Sequence, residues 1–155
     1  MFREMRRKEK LMPMEAARRI LTEAEYGTLA TMGQDGYPYA TPLNFVYHEN
    51  FIYFHTAASG QKLDNIEFIP RVCFSVVGNH KLLADKFDTE YDSVTVFGSA
   101  GRVVDAMERR QALLLLVEKY SNSWRQQGLE YIDGGSCTAA ICKIQIQHIT
   151  GKIGR

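Results

Sequence analysis

The sequence lacks an excess of charge of either sign. Nineteen lysine and arginine residues face 18 aspartate and glutamate residues over 155 positions, and the formal net charge is +1. Proteins that bind nucleic acid through its phosphates usually carry a surplus of basic residues. The composition therefore argues against nucleic acid as a partner.

Cysteines are few, and long apolar runs are absent. The three cysteines, Cys73, Cys137 and Cys142, are odd in number and lack the spacing of metal ligands, so we expect reduced thiols and no metal site. No apolar run approaches the ~18 residues of a membrane-spanning helix, and the basic N-terminus lacks the apolar stretch of a secretion signal. We expect a cytoplasmic protein that does not bind a membrane.

The sequence does contain enough apolar residues for one core. Hydrophobic residues make up 45% of the chain and charged residues 24%, a composition that excludes disorder. Chains divide into separate cores only beyond roughly 250 residues. We expect one domain over residues 1–155, in which residues 1–12 form a flexible basic arm. That arm is either solvated or lies over an anionic cofactor or a partner subunit.

Strand patterns cover most of the chain. They predict strands over residues 27–32, 37–47, 51–55, 71–77, 91–104 and 137–149, with short helices near 13–24, 60–68 and after Asp105. Residues 78–90 and 121–135 have no clear pattern, and Gly27 stands where a left-handed cap would end the first helix. Pro38 and Pro42 indicate that part of the second strand is a sheet edge or a bulge.

These elements predict a mainly β fold of six or so antiparallel strands with two to three short helices. Closure of the strands into a small barrel is the economical way to remove the exposed edges of the sheet.

The segment that follows the third strand has the features of an anion site. Small residues, from Thr56 to Ser59, precede a helix that begins near Gly60. Small residues let backbone N–H groups approach an anion, and the helix N-terminus adds a partial positive charge. Lys62 lies in the first turn, where acidic residues are usually preferred. The residues alone leave two readings open, a phosphate site and an ordinary exposed lysine.

The first hairpin carries hydroxyl groups among apolar residues. Thr31 and Thr41 have the high strand propensity of threonine, and their hydroxyls could also donate to a phosphate or to a ring carbonyl. The hairpin and the anion segment together resemble the pyridoxamine 5′-phosphate oxidase-like flavoproteins, and in particular their nitroimidazole-resistance (Nim-type) branch. The resemblance covers residues 1–155 and rests on three ordered motifs, Gly27-Thr28-Leu29-Ala30-Thr31, Gly36-Tyr37-Pro38-Tyr39-Ala40-Thr41-Pro42-Leu43-Asn44-Phe45 and Tyr53-Phe54-His55-x-Ala57-x-x-Gly60-x-Lys62-x-Asp64-Asn65-Ile66.

The resemblance implies a split β-barrel that forms a homodimer and binds FMN at two symmetric clefts between the subunits. Physical reasoning also favours a shared site, because a small barrel is filled by its own side chains and a flat cofactor needs a second wall. The residues that the resemblance assigns to FMN are Leu29, Ala30, Thr31, Thr41, Pro42, Leu43 and Asn44 along the flavin, His55, Thr56 and Ala57 beside the ring and ribityl chain, Gly60, Gln61 and Lys62 at the phosphate, and, from the second subunit, Tyr91, Ser93, Val94 and Lys152 or Arg155.

The phosphate site departs from the family pattern at one position. The family often holds the phosphate with an additional arginine, but none lies beside Lys62 in the sequence, and Arg71 is a distant candidate.

The role of His55 has more than one interpretation. It either bonds to backbone at the end of its strand or contacts the flavin or substrate as a catalytic residue, since the Nim-type branch places a histidine at this position. No second ligand at suitable spacing supports a metal role for it.

The resemblance implies an FMN-dependent oxidoreductase. Electrons from a nicotinamide nucleotide (NADH or NADPH) would pass through FMN to a small-molecule acceptor, for which a 5-nitroimidazole or another nitroaromatic is one example. Two alternatives stay open. One is a non-catalytic flavin-binding or sensing module, and the other is a split-barrel protein that uses haem or a deazaflavin.

Overall fold

A single antiparallel sheet dominates the fold. The computed structural model describes residues 1–154. Its seven strands are β1 (Gly27–Met32), β2 (Pro38–Leu43), β3 (Val46–His48), β4 (Phe51–Thr56), β5 (Arg71–Leu83), β6 (Asp88–Arg102) and β7 (Ala140–Gly154). The α-helices within the described residues are α1 (Met14–Glu23), α2 (Gln61–Phe68), α3 (Ala106–Tyr120) and α4 (Arg125–Asp133).

The strand order shows that the sheet curls into a barrel. The order across the sheet is β2-β1-β5-β6-β7-β4-β3, so β2 and β3 are its two edges. Only Asn44 and Phe45 connect these two edge strands, and the three residue steps from Leu43 to Val46 span at most about 11 Å. The two edges must therefore lie close together with a gap between them. The fold is a split β-barrel of the mainly β class, as predicted.

The interior of the barrel holds the main core. Phe45, Phe54 and Phe74 are fully buried, and the rings of Phe45 and Phe74 meet edge to face at 4.8 Å between centroids. Helix α1 adds Ala17 and Leu21 to this core. Alternate strand residues point inward, as expected where one face of a sheet is buried.

Helix α3 covers the outer face of β3, β4 and β7 and forms a second apolar cluster with Tyr53 and Ile141. The Asp105 side chain begins the helix by accepting a hydrogen bond from the Glu108 amide at 2.8 Å. The Glu108 carboxylate in turn accepts hydrogen bonds from the Tyr53 hydroxyl at 3.0 Å and from the Lys143 ammonium at 2.8 Å. These bonds hold α3 to β4 and β7.

The end of α3 also bridges the gap between β2 and β3. The Tyr120 hydroxyl accepts a hydrogen bond from the Phe45 amide at 3.0 Å, and the Phe45 and Glu25 carbonyl oxygens lie within 2.8 Å and 2.6 Å of it. The Lys119 ammonium donates to the Phe45 carbonyl at 2.8 Å and lies 4.0 Å from the centroid of the Phe45 ring. Side chains thus satisfy backbone groups at the position where the sheet is interrupted.

Three segments differ from the sequence predictions. Residues 78–90, predicted as a loop, extend β5 and β6 into a hairpin whose strands pair with each other beyond the barrel. Residues 121–135, predicted as irregular, contain α4. This helix packs on α3 because Gly128 has no Cβ atom; a Cβ there would lie 2.6 Å from the Val117 side chain. Gly27 is not a helix cap. It begins β1 beneath the Phe74 ring, which leaves no room for a Cβ atom.

One other sequence prediction has a clear outcome. The predicted strand at 37–47 is two strands, and β2, which contains Pro38 and Pro42, is an edge strand as expected for proline. No helix among residues 1–154 is both long enough and apolar enough to cross a membrane.

We expect the pH dependence of stability to report the buried position of Lys119. Burial lowers the pKa of its ammonium group to about 8, from 10.5 for an exposed lysine. Between these two values the unfolded chain binds more protons than the folded chain, so the free energy of unfolding rises with pH. The measurement is urea unfolding of the wild type and of Lys119→Met at about pH 7.5 and about pH 10.

The wild type should gain stability relative to Lys119→Met between the two pH values. Other groups that titrate in this range, such as the Cys142 thiol, are present in both proteins, and their contributions cancel. A difference in unfolding free energy that is the same at both pH values would contradict the burial of this ammonium group.

Candidate functional site

The segment after β4 has the backbone geometry of an anion site. Strand β4 ends at Thr56, residues 57–60 turn the chain, and α2 begins at Gln61. Gly60 has a φ of +148°, in the region that favours glycine, and the space where a side chain would lie is open. The turn therefore needs glycine for its backbone conformation, and its outer side is accessible to a ligand.

Helix α2 is fixed to the barrel by apolar and polar contacts. Leu63 and Ile66 are buried in the main core. The buried Asn65 amide donates to the Thr31 hydroxyl at 3.0 Å, and that hydroxyl lies 3.4 Å from the Tyr39 carbonyl, to which it donates. The hydroxyl of Thr31 therefore bonds to protein groups, and α2 is held in a defined position at one end of the barrel.

Two cations lie at this end of the barrel. The Arg102 guanidinium donates to the Ala58 carbonyl at 3.0 Å and is 3.5 Å from the Glu67 carboxylate. Arg102 pairs with Cys142 of β7, and burial raises the pKa of the Cys142 thiol to about 11, a rise that the positive charges of Arg102 and Lys62 oppose. Arg102 thus contacts the turn at 57–60, and Lys62 follows that turn in the first turn of α2.

Arg102 is the functional candidate that sequence reasoning did not identify. It is the last residue of β6, 40 positions after Lys62, and it reaches the turn because β7 alone separates β6 from β4 in the sheet. Arg71, the candidate from sequence, begins β5 and pairs with Ser99 of β6. Only knowledge of the strand order could have singled out Arg102.

The predicted flavin residues of β1, β2 and β6 divide between the two faces of the sheet. The side chains of Leu29 and Val94 are fully buried in the core, so any ligand contact of these two residues would involve backbone atoms. On β2, Thr41 pairs with Leu29 and Leu43 pairs with Gly27, and both side chains are half-buried. The Asn44 side-chain amide donates to the Glu25 carbonyl at 2.8 Å. Ala30 and Pro42 alternate with the inward residues and lie on the outer face.

The outer face carries two rows of mostly small side chains in register across β2, β1, β5, β6 and β7. One row is Pro42, Thr28, Ser75, Thr95 and Thr150, and the next is Ala40, Ala30, Cys73, Phe97 and His148. Small side chains leave a flat surface that a broad ligand or a second sheet can approach closely.

Tyr91, Ser93 and Lys152 form a separate group on this outer face. Ser93 pairs with Lys152, whose ammonium donates to the Tyr91 hydroxyl at 3.3 Å. A cavity of about 200 Å³ is bordered by Ser93 and Lys152 together with Thr95, Thr150, Arg3 and Met5. Nine residues of extended β6 separate Ser93 from Arg102, a distance of about 30 Å. One chain therefore does not bring this group to Lys62. Arg155 lies outside the described residues.

His55 lies near the end of β4, two residues before the turn at 57–60. Its side chain is exposed and, by the alternation of β4, lies on the same face as Tyr53, whereas Phe54 points into the barrel. Its predicted catalytic role stays a prediction. Within residues 1–154 no group of three or more histidine, cysteine, aspartate or glutamate side chains could hold a metal ion.

A larger cavity does not coincide with the predicted phosphate site. It measures about 870 Å³ and lies between α1 and the first residues of β1 on one side and β5 and β6 on the other. Arg19, Glu23, Asn79 and Asp92 contribute its polar lining. It borders the same barrel end as Tyr91, opposite to the end that α2 covers.

Comparisons with known proteins agree with this fold. The family described as pyridoxamine 5′-phosphate oxidase matches residues 13–153. None of the curated proteins compared with the chain matches it. Among solved structures, a conserved hypothetical protein from Mycobacterium tuberculosis is 21% identical, with a TM-score of 0.82, over 98% of this chain and 91% of that protein.

Two further structures extend the range of relatives. A candidate 5-nitroimidazole antibiotic resistance protein from Bacteroides thetaiotaomicron is 21% identical, with a TM-score of 0.74, over 92% of this chain and 86% of that protein. An FAD and heme binding protein from Mycobacterium smegmatis is 16% identical, with a TM-score of 0.77, over 94% of this chain and 74% of that protein. At these identities, the likeness establishes a shared fold.

Proposed function

Because the chain belongs to the pyridoxamine 5′-phosphate oxidase family, we propose that it is an FMN-binding oxidoreductase. The observation that carries the proposal is the hydrogen bond from Arg102 to the Ala58 carbonyl, which brings a second cation to the turn that precedes Lys62. A terminal phosphate carries close to two negative charges, and two cations beside open backbone N–H groups match that charge. This match suits FMN, whose single terminal phosphate gathers both charges on one group.

The residues around the turn would divide the work of binding. Lys62 and Arg102 hold the phosphate, and Arg102 also fixes the turn through its bond to the Ala58 carbonyl. Gly60 and Gln61 present backbone N–H groups at the start of α2. The remaining contacts that we propose, toward the ribityl chain and ring, are those of His55, Thr56 and Ala57 and of the hairpin residues Ala30, Thr41, Pro42, Leu43 and Asn44, with backbone contacts from Leu29 and Thr31.

Bound FMN would supply the redox chemistry, the transfer of electrons from a reductant to an acceptor. The protein's own residues would orient the flavin and exclude water from it. We propose a nicotinamide nucleotide as reductant and a nitroaromatic compound as one possible class of acceptor. The shared fold with a candidate 5-nitroimidazole resistance protein supports this acceptor class.

We also propose that two copies of the chain share each flavin site. Ser93 and its pairing partner Lys152 lie about 30 Å from Arg102 in the same chain and Tyr91 lies further, so these residues would reach the flavin only from a second copy. The small side chains of the outer face would let that copy approach closely, and two-fold dimers are the commonest oligomers.

The first test of the proposal is the absorption spectrum of the purified protein. Flavin bands with about one FMN released per chain, followed by bleaching with NADH or NADPH, are the expected results. A flavin that neither nucleotide reduces would indicate a non-catalytic flavin-binding module. A Soret band would indicate haem, and a protein that stays colourless after incubation with FMN would overturn the cofactor assignment.

The phosphate contacts can be tested by comparing FMN with riboflavin, which lacks the phosphate. We expect Lys62→Gln and Arg102→Gln each to weaken FMN binding by roughly 10-fold or more, because each removes a charge-assisted contact. Riboflavin binding should change little in both variants. The measurement is the quenching of flavin fluorescence on titration with protein.

Arg71→Gln is the matched control, since it removes an arginine that pairs elsewhere in the sheet. It should leave FMN affinity within about twofold of the wild type. Equal losses for FMN and riboflavin in the Arg102 variant would show that Arg102 acts on the turn and not on the phosphate.

The shared site predicts complementation between two variants. A dimer of one Lys62→Gln chain and one Lys152→Gln chain has one site with both lysines and one site with neither. When the two variants are unfolded and refolded together, random pairing makes about half of the dimers mixed, and each mixed dimer has one intact site. We therefore expect FMN binding at about a quarter of all sites, which exceeds the average FMN binding of the two variants measured separately. FMN binding in the mixture that does not exceed this average would mean either that one chain supplies both lysines to a site or that one of the two lysines does not contact the flavin.

A further inference from the structure

The N-terminal arm lies on the outer face of the sheet, over β6 and β7. Its base is fixed to β7 by a bridge between Leu11 and Lys152. Near its other end the Phe2 ring stacks on the His148 ring, with centroids 4.7 Å apart and planes inclined by 6°, and on the Phe97 ring at 5.4 Å. Phe97 and His148 pair four residues along the strands from the row of Lys152, so the arm covers about 14 Å of this face.

The arm closes the space beside two residues that we propose to face a flavin. Ser93 and Lys152 border a cavity of about 200 Å³, and Arg3 and Met5 of the arm form part of its wall. Cavities that take small molecules usually measure about 300–1,000 Å³. A flavin therefore does not fit beside Ser93 and Lys152 while Arg3 and Met5 stay in place.

The arm also occupies the layer that a second sheet would need. Two sheets that pack face to face lie about 10 Å apart, and their own side chains fill the space between them. The arm adds a peptide backbone and the Phe2 ring to this layer above β6 and β7. A second copy therefore cannot pack directly on this part of the face until the arm leaves it.

We infer that the N-terminal arm is an autoinhibitory contact, which excludes a second copy of the chain from this face and is released when the dimer forms. The inference rests on the proposed function, in which Ser93 and Lys152 contact a flavin that the second copy holds. Release requires only the loss of surface contacts, since Phe2 keeps 40% of its surface exposed and Arg3 is exposed. The bridge at Leu11 places the hinge at the base of the arm.

Both arms must leave when a two-fold dimer forms, because such a dimer uses the same face of both copies. The affinity of the dimer is reduced by the fraction of each copy whose arm is released, and this reduction enters once for each copy. A small change in the arm's contact should therefore have a large effect on dimer formation.

The test is the dimer dissociation constant of the full chain, measured by sedimentation equilibrium in saturating FMN. We expect Phe2→Ala to tighten the dimer roughly 10-fold or more, because an aromatic contact is lost from each of two arms. Phe2→Tyr keeps the ring and should stay within about twofold of the wild type. Glu9→Gln is the control, because the Glu9 carboxylate is exposed and bonds to Arg7 within the arm.

Trypsin cleavage reports the position of the arm directly. Arg6, Arg7 and Lys8 are cleavage sites that follow the residues in contact with the sheet. We expect cleavage after them to be several-fold faster in the FMN-loaded dimer than in the dilute, FMN-free monomer, since proteolysis follows the population of the released form. Phe2→Ala should make the monomer about as susceptible as the dimer.

Each contrary outcome has a definite meaning. A dimer that is unchanged or weaker in Phe2→Ala would overturn the inference, and so would slower cleavage in the dimer, which would place the arm between the two copies. These results leave the shared flavin site of the proposed function intact. FMN bound to a species that sediments as a monomer would instead refute the shared site, and the inference with it.

Discussion

The connection between β2 and β3 is the constraint on which the rest of the structure depends. Two residues join the two edges of a seven-stranded sheet, so the sheet has to curl until its edges almost meet. At that gap Phe45 cannot continue a strand ladder, and Tyr120 and Lys119 of α3 bond to its backbone instead. Closure of the sheet and the position of α3 are therefore one arrangement, since the end of α3 supplies the bonds that the sheet lacks there.

A curled sheet of this kind has two ends and an outer face, and the candidate site is distributed among them. Helix α2 covers one end and carries Lys62 just after the turn that Arg102 contacts, whereas Ser93 and Lys152 lie toward the other end on the outer face. The interior is filled with side chains such as Phe54 and Phe74 and leaves no room for a flavin. A large planar cofactor would then have to lie outside the barrel, where a second molecule is needed to cover it.

The sequence predicted the parts of this arrangement that local patterns determine. The strand pattern of residues 27–32 and the small residues before α2 are local features, and both predicted their elements correctly. The role of Arg102 depends on which strands are neighbours, and no local pattern contains that information. Helix α4 forms through a close approach to α3 at Gly128, a contact that the residues 121–135 do not reveal by themselves.

Alternation within a strand also limits what a family motif can predict. Leu29 and Ala30 are adjacent in the motif, yet one side chain is in the core and the other is on the outer face. The Thr31 hydroxyl, which has the right chemistry for a phosphate, bonds to Asn65 and so positions the helix that carries Lys62. A residue of the motif can thus serve the site indirectly.

The position of β7 in the sheet has a consequence for biosynthesis. This strand lies between β6 and β4, and its residue Ala140 pairs with Thr56, which the ribosome makes 84 positions earlier. Until residues 140–154 have emerged, β4 and β6 both present unpaired edges, and the nascent chain has no closed sheet to protect them. Such long sequence separations slow folding, so this chain would depend on its last strand, and on any chaperone that shields the waiting edges, to fold without aggregating.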